Sequence, residues 1–128
     1  MKALLLSIKP EYVEKILQGT KKFEYRKRLA KEDVSVIYIY STSPSMKVVA
    51  SVQVIGRLSA SPTALWEETK TAAGISRAKY RDYFHGCKTA YAYELGKVEI
   101  FESEKKLSEF FNYNGREIGY VLSKDYWG

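Results

Sequence analysis

The 128 residues carry a formal net charge of +6, 45% of them are hydrophobic, and one cysteine, Cys87, is present. This size and composition predict a single compact domain over residues 1–128 that needs no cofactor and no metal ion. One cysteine excludes an internal disulfide and favours a reducing compartment, and no apolar run approaches the length that spans a bilayer. We therefore expect a cytoplasmic protein with no membrane partner.

The positive charge is concentrated in one segment. Residues 20–31 contain six cations and a single acid, Glu24, whereas residues 94–109 contain five glutamates and three lysines. A basic surface attracts polyanions, and nucleic acid is the commonest of these. A solvated basic rim without any partner explains the same charge pattern, so charge alone leaves both readings open.

The first part of the chain predicts a strand at the amino end, a helix over residues 10–18 and a second strand over residues 21–28. Gly19 is expected to end the helix as its C-cap. Residues in a strand point alternately to its two faces. The alternation places Phe23 and Tyr25 on one face and Lys22, Glu24, Arg26 and Arg28 on the other.

The rest of the chain predicts further strands with short helices between them. Ser61 and Ser76 are candidate helix N-caps, and in the helix after Ser76 one face is aromatic while Arg77 and Arg81 lie on another. The predicted strands are 34–41, 47–58 with a bulge near Gly56, 87–95, 97–102 and 120–122, and a short helix is predicted over 107–111. This order predicts an α+β fold, a small β-barrel of five to six strands with inserted short helices.

His85 and Cys87 are the residues whose types most resemble a nucleophile and its base. Each is the single residue of its type, so the sequence offers neither the ligands of a metal site nor a triad. We interpret them as structural residues. The eleven tyrosines are expected mainly in the core, although one or two can stack on nucleic-acid bases.

The basic segment has a pattern that suits a polar ligand. Lys21 lies at the start of a strand, where side chains line clefts, and Glu24 and Arg26 share one strand face. A carboxylate and a guanidinium placed in this way either pair with each other or jointly bind a group with both donors and acceptors, such as a base edge. The alternative is that Glu24 only balances the charge of its neighbours on an exposed strand.

The segment GTKKFEYR, residues 19–26, matches the pattern GxKxxExR at Gly19, Lys21, Glu24 and Arg26. This resembles the signature of the ASCH domain family. The flanking segments LLLSIKPEYVEKILQG, STSPSMKVVASVQV and GISRAKYRDYF are similar to other parts of that family. The resemblance extends from residue 3 to about residue 95.

The resemblance implies a barrel similar to the PUA fold, with a cleft beside the motif that binds RNA or a nucleotide base. Family members are proposed to be RNA-binding modules in transcription or translation, and some small members remove the acyl group from N4-acetylcytidine. Carried over, Lys21, Glu24 and Arg26 would line the cleft and Ser41 and Ser43 would hydrogen-bond the ligand. Independently of the resemblance, the charge pattern predicts that Lys22, Arg26, Lys27 and Arg28 contact the phosphates of a single RNA strand.

The sequence departs from the amidohydrolase subgroup. That subgroup has a threonine where Glu24 stands and an acid in the loop before the second helix, which here reads TAAGIS. A nucleophilic or basic lysine needs a lowered pKa, and we expect Glu24 to raise the pKa of Lys21 instead.

Three functions remain open. We rank a noncatalytic RNA- or nucleotide-binding module first. The second is a small hydrolase of modified nucleosides, or a ribonuclease, that uses Lys21 and Glu24. The third is a protein interaction module for an acidic partner. The oligomeric state is left open.

Overall fold

The structure, a computed structural model, describes residues 2–110 and 120–122. It is an α+β fold, in which three α-helices pack around one mixed β-sheet. The strands are β1 (Lys2–Ile8), β2 (Phe23–Arg26), β3 (Val34–Ser41), β4 (Lys47–Ala60), β5 (Ala90–Lys105) and β6 (Tyr120–Leu122). The helices are α1 (Pro10–Gln18), α2 (Pro62–Thr69) and α3 (Arg77–Tyr83), with short 3₁₀ turns at Lys70–Ala72 and Leu107–Phe110.

The six strands form an open sheet in the order β2-β5-β4-β3-β1-β6. β1 runs parallel to β3 and β6, and the other neighbours are antiparallel. The predicted barrel is wrong, because closing a sheet requires its two edge strands to pair. Here the edges are the short strands β2 and β6, with four strands between them, and no ladder joins these edges across residues 2–110 and 120–122.

The individual elements follow the sequence, with differences in the extent of several strands. The strands predicted over 87–95 and 97–102 form one continuous strand, β5, whose register against β4 shifts three times. The second predicted strand is shorter than expected and keeps only Phe23–Arg26. The predicted helix over 107–111 appears as a 3₁₀ turn, and its last residue lies outside the described residues.

Helix α1 begins and ends as its sequence predicts. Pro10 occupies the first turn, and Gly19 adopts the left-handed conformation, with a φ of 84°, at the C-cap. The amides of Thr20 and Lys21 then donate to the carbonyl of Lys15 at 3.0 and 3.1 Å. This reversal places Lys21 against the helix that precedes it.

The serine caps predicted for the other two helices are confirmed. Ser61 Oγ accepts from the amide of Ala64, and Ser76 Oγ accepts from the amide of Lys79, both at 3.2 Å. The caps fix where α2 and α3 begin, and Tyr80 of α3 is thereby buried against the sheet. Within the described ranges, no helix combines the length and the apolar character needed to cross a membrane.

The core lies between the sheet and the helices, and Tyr25 of β2 stands near its centre. Its ring contacts the rings of Tyr80 and Phe84 edge-on, at centroid distances of 5.0 and 6.2 Å. The Tyr25 hydroxyl shares a 2.6 Å hydrogen bond with Thr69 Oγ1, and burial raises the pKa of Tyr25 to about 12. β2 is therefore anchored through its apolar face to both α2 and α3.

Candidate functional site

The residues of the basic segment separate into a buried and an exposed group. Lys21, Glu24 and Arg26 have relative exposures of 2%, 0% and 1%. Lys22, Lys27 and Arg28, by contrast, are exposed. We call Lys21, Glu24 and Arg26 the buried triad, and Lys22, Lys27 and Arg28 the exposed cations. The alternative in which Glu24 balances its neighbours on an exposed strand is wrong about the exposure, because both faces of β2 are covered, but Glu24 does pair with Arg26.

Glu24 and Arg26 form a buried ion pair along one face of β2. Arg26 Nε and Nη2 donate to Glu24 Oε2 at 3.0 and 2.8 Å, and Nη2 also donates to the carbonyl of Ser7 in β1 at 3.2 Å. Removing two charges from water is costly, and the cost is offset only where hydrogen bonds are well made. The pair therefore fixes β2 against β1, at the opposite side of the strand from Tyr25.

Lys21 lies between two aromatic rings and a carbonyl. Its Nζ donates to the carbonyl of Ala73 at 2.7 Å and stands 5.5 Å from the Tyr12 ring centroid and 4.9 Å from that of Tyr25. Burial lowers the pKa of Lys21 from 10.5 to about 8; Glu24 opposes the shift, while Arg26 adds to it. The expectation that Glu24 would decide the direction of this shift was wrong, because desolvation is the larger effect.

The loop between α2 and α3 closes over Lys21. Gly74 has a φ of +65°, and a Cβ at this position would lie 2.4 Å from Lys21 Cβ. Lys15 Nζ reaches the Gly74 carbonyl at 3.4 Å, and the amide of Lys22 donates to the carbonyl of Ala72 at 2.9 Å. Gly74 therefore permits the close approach of the loop to the lysine.

The sequence did not predict that Tyr12, Lys15 and the carbonyls of the loop before α3 surround Lys21. The sequence marked Gly74 as a helix break, and its packing partner is 53 positions away in the chain. A glycine permits close approach of the backbone, but the sequence does not name the residue that packs there.

The two serine candidates lie in different environments. Ser41 ends β3, is buried and pairs with Ile8 of β1, next to the Ser7 carbonyl that Arg26 contacts. Ser43 is exposed in the turn that follows. Ser41 thus lies at the same end of β1 as the ion pair, whereas Ser43 lies on the surface.

The exposed cations flank the buried triad along the chain. Lys22 precedes β2, and its backbone carbonyl accepts from the amide of Leu95 at 2.9 Å. Lys27 and Arg28 follow β2, and Lys27 Nζ stands 5.0 Å from the centroid of the half-buried Tyr83 ring. In the described part of the chain, no three His, Cys, Asp or Glu residues are grouped as a metal site would need.

Comparison with known proteins assigns the family. The family model of the ASCH domain matches residues 6–119, which includes the whole basic segment. The chain belongs to the ASCH domain family. The predicted family is thereby confirmed, and the buried triad lies within the matched residues.

Two curated relatives match this ASCH domain. The first is an ASCH domain-containing ribonuclease of Zymomonas mobilis, 32% identical over 95 residues, which are 73% of this chain and 64% of the relative. The second is the ATP synthase subunit alpha of Ureaplasma parvum, 28% identical over 94% of this chain and 15% of its own length. The chain therefore spans less than two thirds of the length of each.

A solved structure supports the fold. The crystal structure of ASCH from Zymomonas mobilis superposes on this chain with a TM-score of 0.76 and 28% sequence identity. The match covers 83% of this chain and 74% of that one. The α+β fold of this chain is therefore similar to that of a solved ASCH structure.

Proposed function

We propose that this ASCH domain binds single-stranded RNA through the exposed cations. The observation that supports this most is the separation of buried and exposed residues within one short segment. Lys22, Lys27 and Arg28 flank a strand that the buried triad holds in place. Lysine and arginine on a fixed surface neutralise phosphates and release counterions. That a relative in Zymomonas mobilis is named a ribonuclease supports RNA as the polyanion.

The buried triad has a positioning role in this proposal. Glu24 is buried against Arg26, so direct reading of a base by its carboxylate needs the ion pair to open. A closed pair instead fixes the direction in which Lys27 and Arg28 leave β2. Ser43, which is exposed, remains a candidate for a ligand hydrogen bond, whereas buried Ser41 does not. Binding without cleavage fits a regulatory module in transcription or translation.

The test compares two triple variants by fluorescence anisotropy with a labelled 12-nucleotide single-stranded RNA at 0.1 M salt. We expect Lys22→Gln/Lys27→Gln/Arg28→Gln to weaken binding roughly tenfold to 100-fold, since three phosphate contacts are lost. The control Lys88→Gln/Lys97→Gln/Lys105→Gln removes the same charge from other exposed positions. Equal losses in both variants, or no binding by the wild type, would refute the proposal.

A second candidate function is cleavage of the bound RNA, and the lowered pKa of Lys21 favours it. A lysine with a pKa of about 8 is partly neutral near pH 7, so its amine can accept a proton. Because Lys21 is only 2% exposed and its Nζ is bonded to the carbonyl of Ala73, the proposed step requires the loop over residues 72–74 to open. The amine then takes the proton of a ribose 2′-hydroxyl, whose oxygen bonds to the adjacent phosphorus. The bond from phosphorus to the 5′ oxygen breaks, and the Lys21 ammonium returns the proton to that oxygen.

Cleavage is tested with the same RNA by gel analysis between pH 6 and pH 9. If Lys21 is the base, the rate rises with pH until about pH 8, and Lys21→Met abolishes it while RNA affinity is retained. Cleavage that persists in Lys21→Met would assign the chemistry to other residues. Wild-type binding without any product would leave the chain a binding module.

A further inference from the structure

A pocket of about 310 Å³ opens between α2 and α3, outside the buried triad. Its wall is aromatic and its lining includes two arginines: Trp66, Tyr80, Phe84, Arg77 and Arg81. The volume lies at the lower end of the range for small-molecule sites, roughly 300–1,000 Å³. The pocket therefore has the size for one small ligand and a lining with both apolar and cationic groups.

The aromatic wall is fixed in place by its own contacts. The Tyr80 ring centroid lies 4.8 Å from that of Trp66 and 4.9 Å from that of Phe84. The Tyr80 hydroxyl donates to the carbonyl of Pro62 at 2.7 Å, which ties α3 to the start of α2. Trp66 is half-buried and keeps part of its ring accessible. Because Tyr80 and Phe84 are each only 2% exposed, Trp66 is the ring of this wall that is available for stacking with a planar group.

The arginines add an anion-binding element beside that wall. Arg77 and Arg81 are separated by four positions in α3, so their side chains leave the same side of the helix. Both are exposed and both line the pocket. Two guanidinium groups at one opening provide several donors for phosphate oxygens. A planar ring and a phosphate together are the two parts of a nucleotide.

The pocket is connected to the exposed cations through a short series of contacts. Lys27 Nζ stands 5.0 Å from the Tyr83 ring, and the Tyr83 ring is 4.8 Å from that of Phe84 in the pocket wall. Tyr83 is the last residue of α3, so Lys27 contacts the same helix that carries Arg77 and Arg81 of the pocket.

We propose that this pocket binds one nucleotide of the RNA strand, with the base against Trp66 and the phosphate on Arg77 and Arg81. The inference rests on the proposed function, in that RNA is the ligand of the neighbouring cations. Stacking accepts any base because every base has a π-face, so the pocket contributes affinity with little sequence preference.

The test uses Trp66 as a fluorescent reporter. The sequence contains two tryptophans, Trp66 and Trp127, so Trp127→Phe makes Trp66 the only one. In that background, single-stranded RNA is titrated while Trp66 emission and RNA anisotropy are both recorded, and AMP is titrated separately. Arg77→Gln/Arg81→Gln is compared with Lys97→Gln/Lys105→Gln, which removes the same charge from exposed positions of β5.

We expect RNA to quench Trp66 saturably, with the same midpoint as the anisotropy. The arginine variant should bind RNA about threefold to tenfold more weakly at 0.1 M salt, with its salt dependence flattened, and the lysine control should bind like its parent.

Three other results would overturn the inference. If RNA binds with no change in Trp66 emission and the two variants behave alike, the pocket is not part of the RNA site, although the proposed function stands. If AMP quenches Trp66 and RNA neither quenches nor competes, the pocket is a separate nucleotide site. If RNA does not bind at any salt concentration, the inference fails together with the proposed function.

Discussion

The buried triad and the exposed cations occupy the same eight residues, 21–28, and both include lysine and arginine, yet their surroundings differ. Lys21 is enclosed by Tyr12, Tyr25 and the carbonyl of Ala73, whereas Lys22, its immediate neighbour, is exposed. A charge in the interior is costly unless it is paired, while a charge at the surface is available to a polyanion. The segment therefore combines a buried anchor with exposed cations, for which we propose RNA binding.

The largest effect we expect comes from breaking the buried ion pair. Arg26→Met leaves the Glu24 carboxylate buried beside β1 without its guanidinium, which should lower the free energy of unfolding by about 3–5 kcal/mol. Arg28→Met, two positions along, removes the same charge at the surface and should change the free energy of unfolding by less than about 0.5 kcal/mol. Urea unfolding of both variants measures the difference. Similar losses of unfolding free energy in the two variants would show that Arg26 and Arg28 do not differ in burial as described.

The loop over Lys21 provides the next comparison. Gly74→Ala combines the strain of a left-handed backbone, about 1–2 kcal/mol, with overlap against Lys21 Cβ, which adds about 1–3 kcal/mol. Gly86 has a φ of +81° with nothing within 4 Å of an added Cβ, so Gly86→Ala isolates the strain alone. Thermal or urea unfolding should show the larger loss for Gly74→Ala. Equal losses would mean that the loop does not press on the lysine.

The sequence predicted the elements of the site better than their burial. The period of two placed Glu24 and Arg26 on one face, and their ion pair follows from that local spacing. The enclosure of Lys21 depends on Ala73 and Gly74, more than fifty positions away, which no local pattern can specify. In the same way, the strand segments were predictable from their composition, although two of them form the single strand β5. Whether the sheet is open depends on which distant edge strands pair, and no local pattern specifies that.

A pH series isolates the buried lysine. Unfolded Lys21 titrates near 10.5 and folded Lys21 near 8, so between these values the unfolded chain holds a proton that the folded chain has released. The contribution of Lys21 to the free energy of unfolding therefore rises with pH, by about 2 kcal/mol between pH 8 and pH 10. The difference in unfolding free energy between the wild type and Lys21→Met should change by that amount. A difference that is constant with pH would show that Lys21 is not desolvated.

The smallest effect tests the central claim most directly, because Lys21→Met and Lys22→Met remove the same charge from adjacent positions that differ in burial. The measurement is the slope of log RNA affinity against log salt concentration, recorded by anisotropy at six or more salt concentrations on protein shown to be folded by circular dichroism. We expect Lys22→Met to flatten the slope by roughly 0.7, the value for one phosphate of a single strand, and Lys21→Met to leave it unchanged. A slope that flattens for Lys21→Met and not for Lys22→Met would contradict the division between a buried anchor and an exposed RNA surface.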